Sequence, residues 1–304
     1  MKRKMGSVFP VVLAVLLVVG LLAACGKNTN EGAGSSAPAS GTKDIGAPTA
    51  TAPAGQQGYK DGLYYAEGEY DAKSGWKDVV ALKVEAGKIV VVNWNGLHKD
   101  GGLDKKTASE KGFYGMKKAG AVAEWHEQAV KAEQYLLEKQ DPKAIVVKDD
   151  GSTDAISGVS IHVGGFVQLA EQALAAGTVE SGPYKDGTYF AEGAEFDAKS
   201  GWKENVTITV INGKIAAVSW NGTHKDGGTD KATRSKSGEY GMKKGGASSE
   251  WHEQTAKAEQ YLLEKQDPKA IVVKEDGKTD AISGVSIHVG DFAGLVAQAL
   301  EGAR

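Results

Sequence analysis

The chain writes one stretch of about 117 residues twice, and this constrains its fold more than any other feature. "YKDGLYYAEGEYDAKSGWK" at 59–77 recurs as "YKDGTYFAEGAEFDAKSGWK" at 184–203, with one inserted residue. Beyond the insertion the offset stays at 126, through "HKDGG", "YGMKK", "EWHEQ", "KAEQYLLEKQDPKAIVVK" and "TDAISGVSIHVG". A unit of this size is large enough for its own apolar core, so the reading is two tandem domains, 59–175 and 184–301, rather than a solenoid. "AAGTVESGP" between them reads as a short hinge. Whatever chemistry one copy carries, the other is expected to carry too.

The first 25 residues read as a targeting segment outside the fold. Lys2, Arg3 and Lys4 precede the apolar run "VFPVVLAVLLVVG", and "LLAAC" ends on small residues and Cys25. This is the secretory pattern, too short and wrongly flanked for a lasting membrane span. The "LAAC" ending resembles the lipobox of bacterial lipoproteins, which implies diacylglycerol on the Cys25 thiol and a lipid-anchored protein on the outer face of the cell membrane. Cys25 is the only cysteine, so the mature chain is expected to work without thiol, disulfide or thiolate metal site. Residues 26–58 hold one Ile and no aromatic residue, the composition of a flexible tether. Formal net charge is −3, and losing Lys2, Arg3 and Lys4 makes the mature balance more acidic, which argues against nucleic acid as a partner.

Within each copy, "LYYAEGEY" reads as a strand and "VVALKVEAGKIVVVNWNG" as a hairpin around Glu85–Lys88. Val122, Trp125, Ala129, Ala132 and Leu136 then fall at helical spacing, with Asp141–Pro142 as the stop. "AIVVK" reads as a short strand. A last helix is marked by Phe166, Leu169, Ala170, Ala173 and Leu174, and by Phe292, Leu295, Val296, Ala299 and Leu300. The order β-ββ-α-β-α predicts an α+β fold, an antiparallel sheet with its helices segregated.

"TDAISGVSIHVG" precedes that last helix, where backbone amides and the helix dipole favour an anion. Capping alone would account for a single Asp or Ser there. The longer string "DAISGVS" resembles the flavinylation motif of the FMN-binding domain family, usually D-x-x-[ST]-G-A-[ST]. In that family a separate flavin transferase uses FAD to esterify the last hydroxyl with the FMN phosphate. The resemblance implies acceptors Ser160 and Ser286, with Asp154, Ser157 and Gly158 and then Asp280, Ser283 and Gly284 as motif partners. Two departures are visible: Val159 and Val285 stand where alanine is usual, and serine replaces the commoner threonine. With the lipobox, the tandem arrangement resembles twin-FMN lipoproteins of extracellular electron transfer in Gram-positive envelopes. Two FMN groups are implied, taking electrons from membrane quinol fed by a type II NADH dehydrogenase and passing them to ferric iron or soluble flavins. Such a protein is a carrier rather than an enzyme.

A flavin ring needs an apolar bed with a few polar contacts. "YGM" supplies Tyr114 with Met116 and Tyr240 with Met242 on glycine-flanked loops, so these are expected ring contacts. His162 and His288, two residues past each acceptor, are expected to reach the phosphate or the flavin. The rival reading is an envelope module that binds a metal ion or another small ligand without flavin. Six histidines lie three to a copy, but no H-x-H or H-E-x-x-H spacing joins them. "HKDGG" reads as a solvated loop in both copies.

Overall fold

The computed structural model describes residues 58–304. The expected signal peptide, its Cys25 and the tether to residue 57 lie outside the described residues.

Each copy opens with a three-stranded antiparallel meander, β1 (Gly62–Glu67), β2 (Trp76–Glu85) and β3 (Lys88–His98), then β4 (Gly187–Glu192), β5 (Trp202–Ile211) and β6 (Lys214–His224). The β2–β3 turn uses Ala86 and Gly87, both at positive φ (49° and 75°), the backbone a tight hairpin demands. Asp61 holds this turn, its carboxylate accepting from the amides of Ala86 (3.0 Å) and Gly87 (2.8 Å). Helices follow the sheet: α1 (Lys105–Glu110), α2 (Trp125–Lys139) and α3 (Gly164–Ala176), with α4 (Lys231–Lys236), α5 (Trp251–Lys265) and α6 (Gly290–Glu301) in the second copy. The α+β class therefore stands, in the order βββααα.

Three expectations need correction. "AIVVK" is not a strand: Pro142–Ala144 forms a 3-10 turn, and of the residues after it only Ile145 is buried, while Val146 stays 69% exposed. Proline at the first turn position fits that start, and the segment pairs with neither sheet. The second helix begins at Trp125 rather than Val122, which is 81% exposed; Glu124 and Glu127 form a capping box that fixes the start. "HKDGG" is a solvated loop only in the second copy. Gly101 and Gly102 are half-buried, and the Gly102 amide donates to the Val218 carbonyl of β6 at 3.0 Å.

Each sheet buries one face under its own helices. Val80, Leu82, Trp94, Leu136 and Phe166 belong to the first core, and Val206, Ile208, Trp220, Leu262 and Phe292 to the second. Trp94 stacks on Phe166 at 4.8 Å between ring centres, and Trp220 on Phe292 at 4.6 Å. The opposite faces meet each other: Val79, Ala81 and Leu97 pack with Ile211 and Ala217 in a third apolar cluster. Both faces of β2 are thus covered, which accounts for the unbroken apolar run "VVAL" where a one-sided strand would alternate. The described residues 58–304 accordingly form one compact unit, its two copies joined by this cluster and by the Thr209 hydroxyl donating to buried Asp104 (2.5 Å).

Candidate functional site

The repeated "DAISGVSIHVG" stretch is extended and irregular, not the first turn of a helix. From Ile156 to Val163, burial picks out Ile156, Val159, Ile161 and Val163, and leaves Ser160 and His162 exposed. Alternation of this kind turns Ser160 and His162 to the same outer face. Val159 and Val285 are each 8% exposed and belong to the cores, so the larger side chain fills apolar space rather than crowding the neighbouring hydroxyl. Gly158 and Gly284 sit at φ 73° and 71°, a conformation that costs an L-residue about 1–2 kcal/mol. The turn there brings the serine amide inward.

Those inward amides already have a partner. Gln128 of α2 is fully buried, and its Oε1 accepts from the Ser160 amide (2.7 Å), the Ile161 amide (3.2 Å) and the Ser160 hydroxyl (3.2 Å). Its Nε2 donates to the Ala123 carbonyl at 3.0 Å. Gln254 repeats the arrangement on Ser286 and Ile287 at the same distances. The final helices start four residues later, at Gly164 and Gly290, so their dipoles do not bear directly on the serine amides. The glutamine, a residue that reading the sequence did not single out, is what fixes each serine.

In the second copy Ser286, His288, Tyr240 and Met242 all line one cleft of about 1120 Å³. Trp202 and Trp251 complete its aromatic wall, and Lys231 and Glu204 lie in it. The Lys231 ammonium, on a residue only 5% exposed, sits 4.6 Å from the Trp251 ring centre and 5.4 Å from that of Tyr240. Glu204 pairs with it at 2.6 Å and accepts from the Trp220 indole N–H at 2.8 Å.

The first copy keeps the same frame with one methylene less. Asp78 replaces Glu204, and the Trp94 indole N–H is buried without a hydrogen-bond partner. Burial pushes the Asp78 carboxyl above the usual carboxylate range, against the pull of Lys105 and of the nearby Trp94 indole, which falls short of hydrogen-bond geometry. Lys105 lies over the rings of Trp125 (4.8 Å) and Tyr114 (5.0 Å), as Lys231 does over their counterparts. The corresponding cleft, about 500 Å³, is lined by Trp76, Asp78, Lys105 and Leu169; Ser160, His162, Tyr114 and Met116 are not on its wall. Met116 and Tyr114 pack partly buried against the core. The caged lysines and their carboxylates escaped the sequence reading because "LDKK" and "TDKA" look like surface loops; the lysine shared by both was the available signal.

The remaining motif residues lie elsewhere. Asp154 and Asp280 are exposed and pair with Lys148 (3.0 Å) and Lys274 (2.9 Å) of their own loops. Ser157 and Gly158 are exposed in the first copy. In the second, Ser283 lines a separate cavity beside Lys257 and Tyr261, and Gly284 is exposed. The histidines are dispersed: His126 and His252 each place Nδ1 2.8 Å from a serine hydroxyl, Ser109 and Ser235, while His98 packs edge-on to Trp76. Among the described residues, no three His, Cys, Asp or Glu side chains gather as a metal-ligand group.

No protein-family model and no curated protein matches the chain. Among solved structures it is similar to a solution NMR structure from Clostridium thermocellum, at 55% identity over 38% of this chain and 91% of that one, with a TM-score of 0.32. It is also similar to the crystal structure of the CPE2226 protein from Clostridium perfringens, at 26% identity over 40% of this chain and 88% of that one, again with a TM-score of 0.32.

Proposed function

We propose that the chain is a lipid-anchored electron carrier of the cell envelope, holding one FMN per copy through phosphoesters at Ser160 and Ser286. The observation that carries this reading is the second-copy cleft, where an exposed serine hydroxyl, a histidine and an aromatic–methionine wall face one cavity of about 1120 Å³. Its volume is large enough for a cofactor, and its walls combine the rings of Trp202, Tyr240 and Trp251 with charged groups of both signs, Lys231 and Lys278 against Glu195, Asp197, Glu204 and Asp291. Lys278 lines the same cavity near Ser286 and His288, a cation suited to a phosphate. FMN, when bound, would supply the redox chemistry that is lacking in a chain whose one cysteine, Cys25, would carry the lipid. The protein's own contribution is positional. Gln128 and Gln254 hold the serine backbones, and in the second copy the aromatic rings wall the cleft around the caged Lys231. A covalent tether suits an envelope protein, because retention then no longer depends on affinity against unlimited dilution. The wider roles expected from the family resemblance, quinol oxidation and delivery to ferric iron or soluble flavins, belong to the same proposal.

Co-expression with a flavin transferase tests it. Intact mass and in-gel flavin fluorescence are expected to show two FMN additions, with one remaining after Ser160→Ala or Ser286→Ala and none after both. An unmodified wild-type chain under these conditions would sink the covalent reading.

A further inference from the structure

The two copies differ at a buried carboxylate that the flavin reading does not use. In the first copy Glu133 of α2 is buried, and its Oε1 accepts from both the Trp94 amide (2.5 Å) and the Lys106 ammonium (2.5 Å). The same ammonium donates to the Asn93 side chain at 3.1 Å. The second copy retains the acid as Glu259, and its Oε1 still accepts from the Trp220 amide at 2.6 Å. The lysine has become Ala232, and the asparagine Ser219. Glu259 is 5% exposed and, among the described residues, has no cation within 4.0 Å, Lys236 acting on it only from farther off. Two shrinkages around one retained acid leave an ammonium-sized vacancy in the hydrogen-bonding pattern.

That place opens onto a cleft of about 800 Å³ between the copies, and Glu259, Ala232 and Ser219 all line it. The acidic side chains facing it are Asp100, Asp230, Glu253 and the buried Glu259, against Lys236, with His98 and His252 also on the walls. The balance is acidic, so the cleft favours a cation. Phe113, 66% exposed, and Tyr114 add aromatic surface suited to an alkyl chain and an ammonium. On the far side the backbone of Gly101 closes over Glu259, so near that a Cβ there would lie 2.9 Å from Oε2. Oε1 is therefore the oxygen left to receive a ligand.

We propose that this cleft binds a primary alkylammonium ion, its head group on Glu259 Oε1 where Lys106 serves Glu133. Burial, opposed by the Trp220 amide, the Lys236 charge and the Gly102 amide, keeps the Glu259 carboxyl protonated into the neutral range, up to about 8. Binding below that pH then releases one proton to solvent as the carboxylate pairs with the incoming ammonium. The site is independent of flavin.

Titration calorimetry of the two-copy protein with n-butylammonium chloride tests it, with n-butanol as the neutral control. Runs in buffers of different ionisation enthalpy count the proton. The expected result is saturable binding of the ammonium but not the alcohol, release of up to one proton at neutral pH, and at least tenfold weaker binding in both Glu259→Gln and Ala232→Lys. The second variant supplies the missing ammonium from within, as the first copy already does. A parallel titration with Nα-acetyl-lysine methylamide separates a free amine from a lysine side chain as the source. Absence of binding, binding unchanged in Glu259→Gln, or equal binding of butanol would overturn the proposal.

Discussion

Replacing Glu259 by glutamine is expected to change how the protein's stability depends on pH, in a direction opposite to the usual carboxylate. The unfolded chain gives up the Glu259 proton near 4.5, whereas the folded chain keeps it to about 8. Between those values the folded state holds one proton more than the unfolded state, so stability falls as pH rises. The slope is about 1.4 kcal/mol per pH unit for one group, and over this window the loss is on the order of 5 kcal/mol. Because the side chain is 5% exposed, solvent screening does little to reduce it. Glu259→Gln keeps an acceptor for the Trp220 amide and cannot ionise. The variant should match the wild type near pH 4.5 and exceed it by several kcal/mol above about pH 8. Urea unfolding of both proteins across that range measures the difference directly, and subtraction removes the other buried carboxyls, Asp78 and Glu133, which are also pushed up. Parallel stability curves would refute the reasoning, since they would mean the carboxyl titrates alike in both states.

Removing Gln254 as an acceptor, by Gln254→Leu, strands the Ser286 and Ile287 amides and should cost about 2 kcal/mol in urea unfolding. Its effect on flavin loading at Ser286 should exceed that at Ser160, read by peptide mass. Glu204→Asp copies the first-copy arrangement and leaves the Trp220 indole N–H without its acceptor; a loss of about 1–3 kcal/mol is expected, with Asp78→Glu moving the other way. Phe292→Ala removes the ring stacked on Trp220 and should cost about 3–5 kcal/mol, visible as a lowered Tm and a weakened near-ultraviolet tryptophan signal.

The duplication, the α+β class and the apolar faces of the long helices were legible from letters alone, because a 3.6-residue period and a repeated string are local properties. Phe166, Leu169 and Ala170 were placed correctly on that basis, and all three are buried. Local pattern misled at "AIVVK", where β-branched residues suggested a strand but the segment joins neither sheet. What escaped was every feature that depends on a partner far along the chain. Gln128 lies in a string written identically in both copies, yet nothing in it says that its side chain meets amides 32 and 33 positions away. The letters "HKDGG" are the same twice, but only the first is held by a β6 carbonyl, because the two copies do not dock about a two-fold axis that would make both loops equivalent. Likewise Glu133 and Glu259 are one residue in the repeat. Sequence determined that each is an acid on an amphipathic helix and that Lys106 gives way to Ala232; tertiary structure decided that this exchange falls beside the acid, pairing Glu133 and opening Glu259 to a cleft, since a buried charge is defined by what surrounds it.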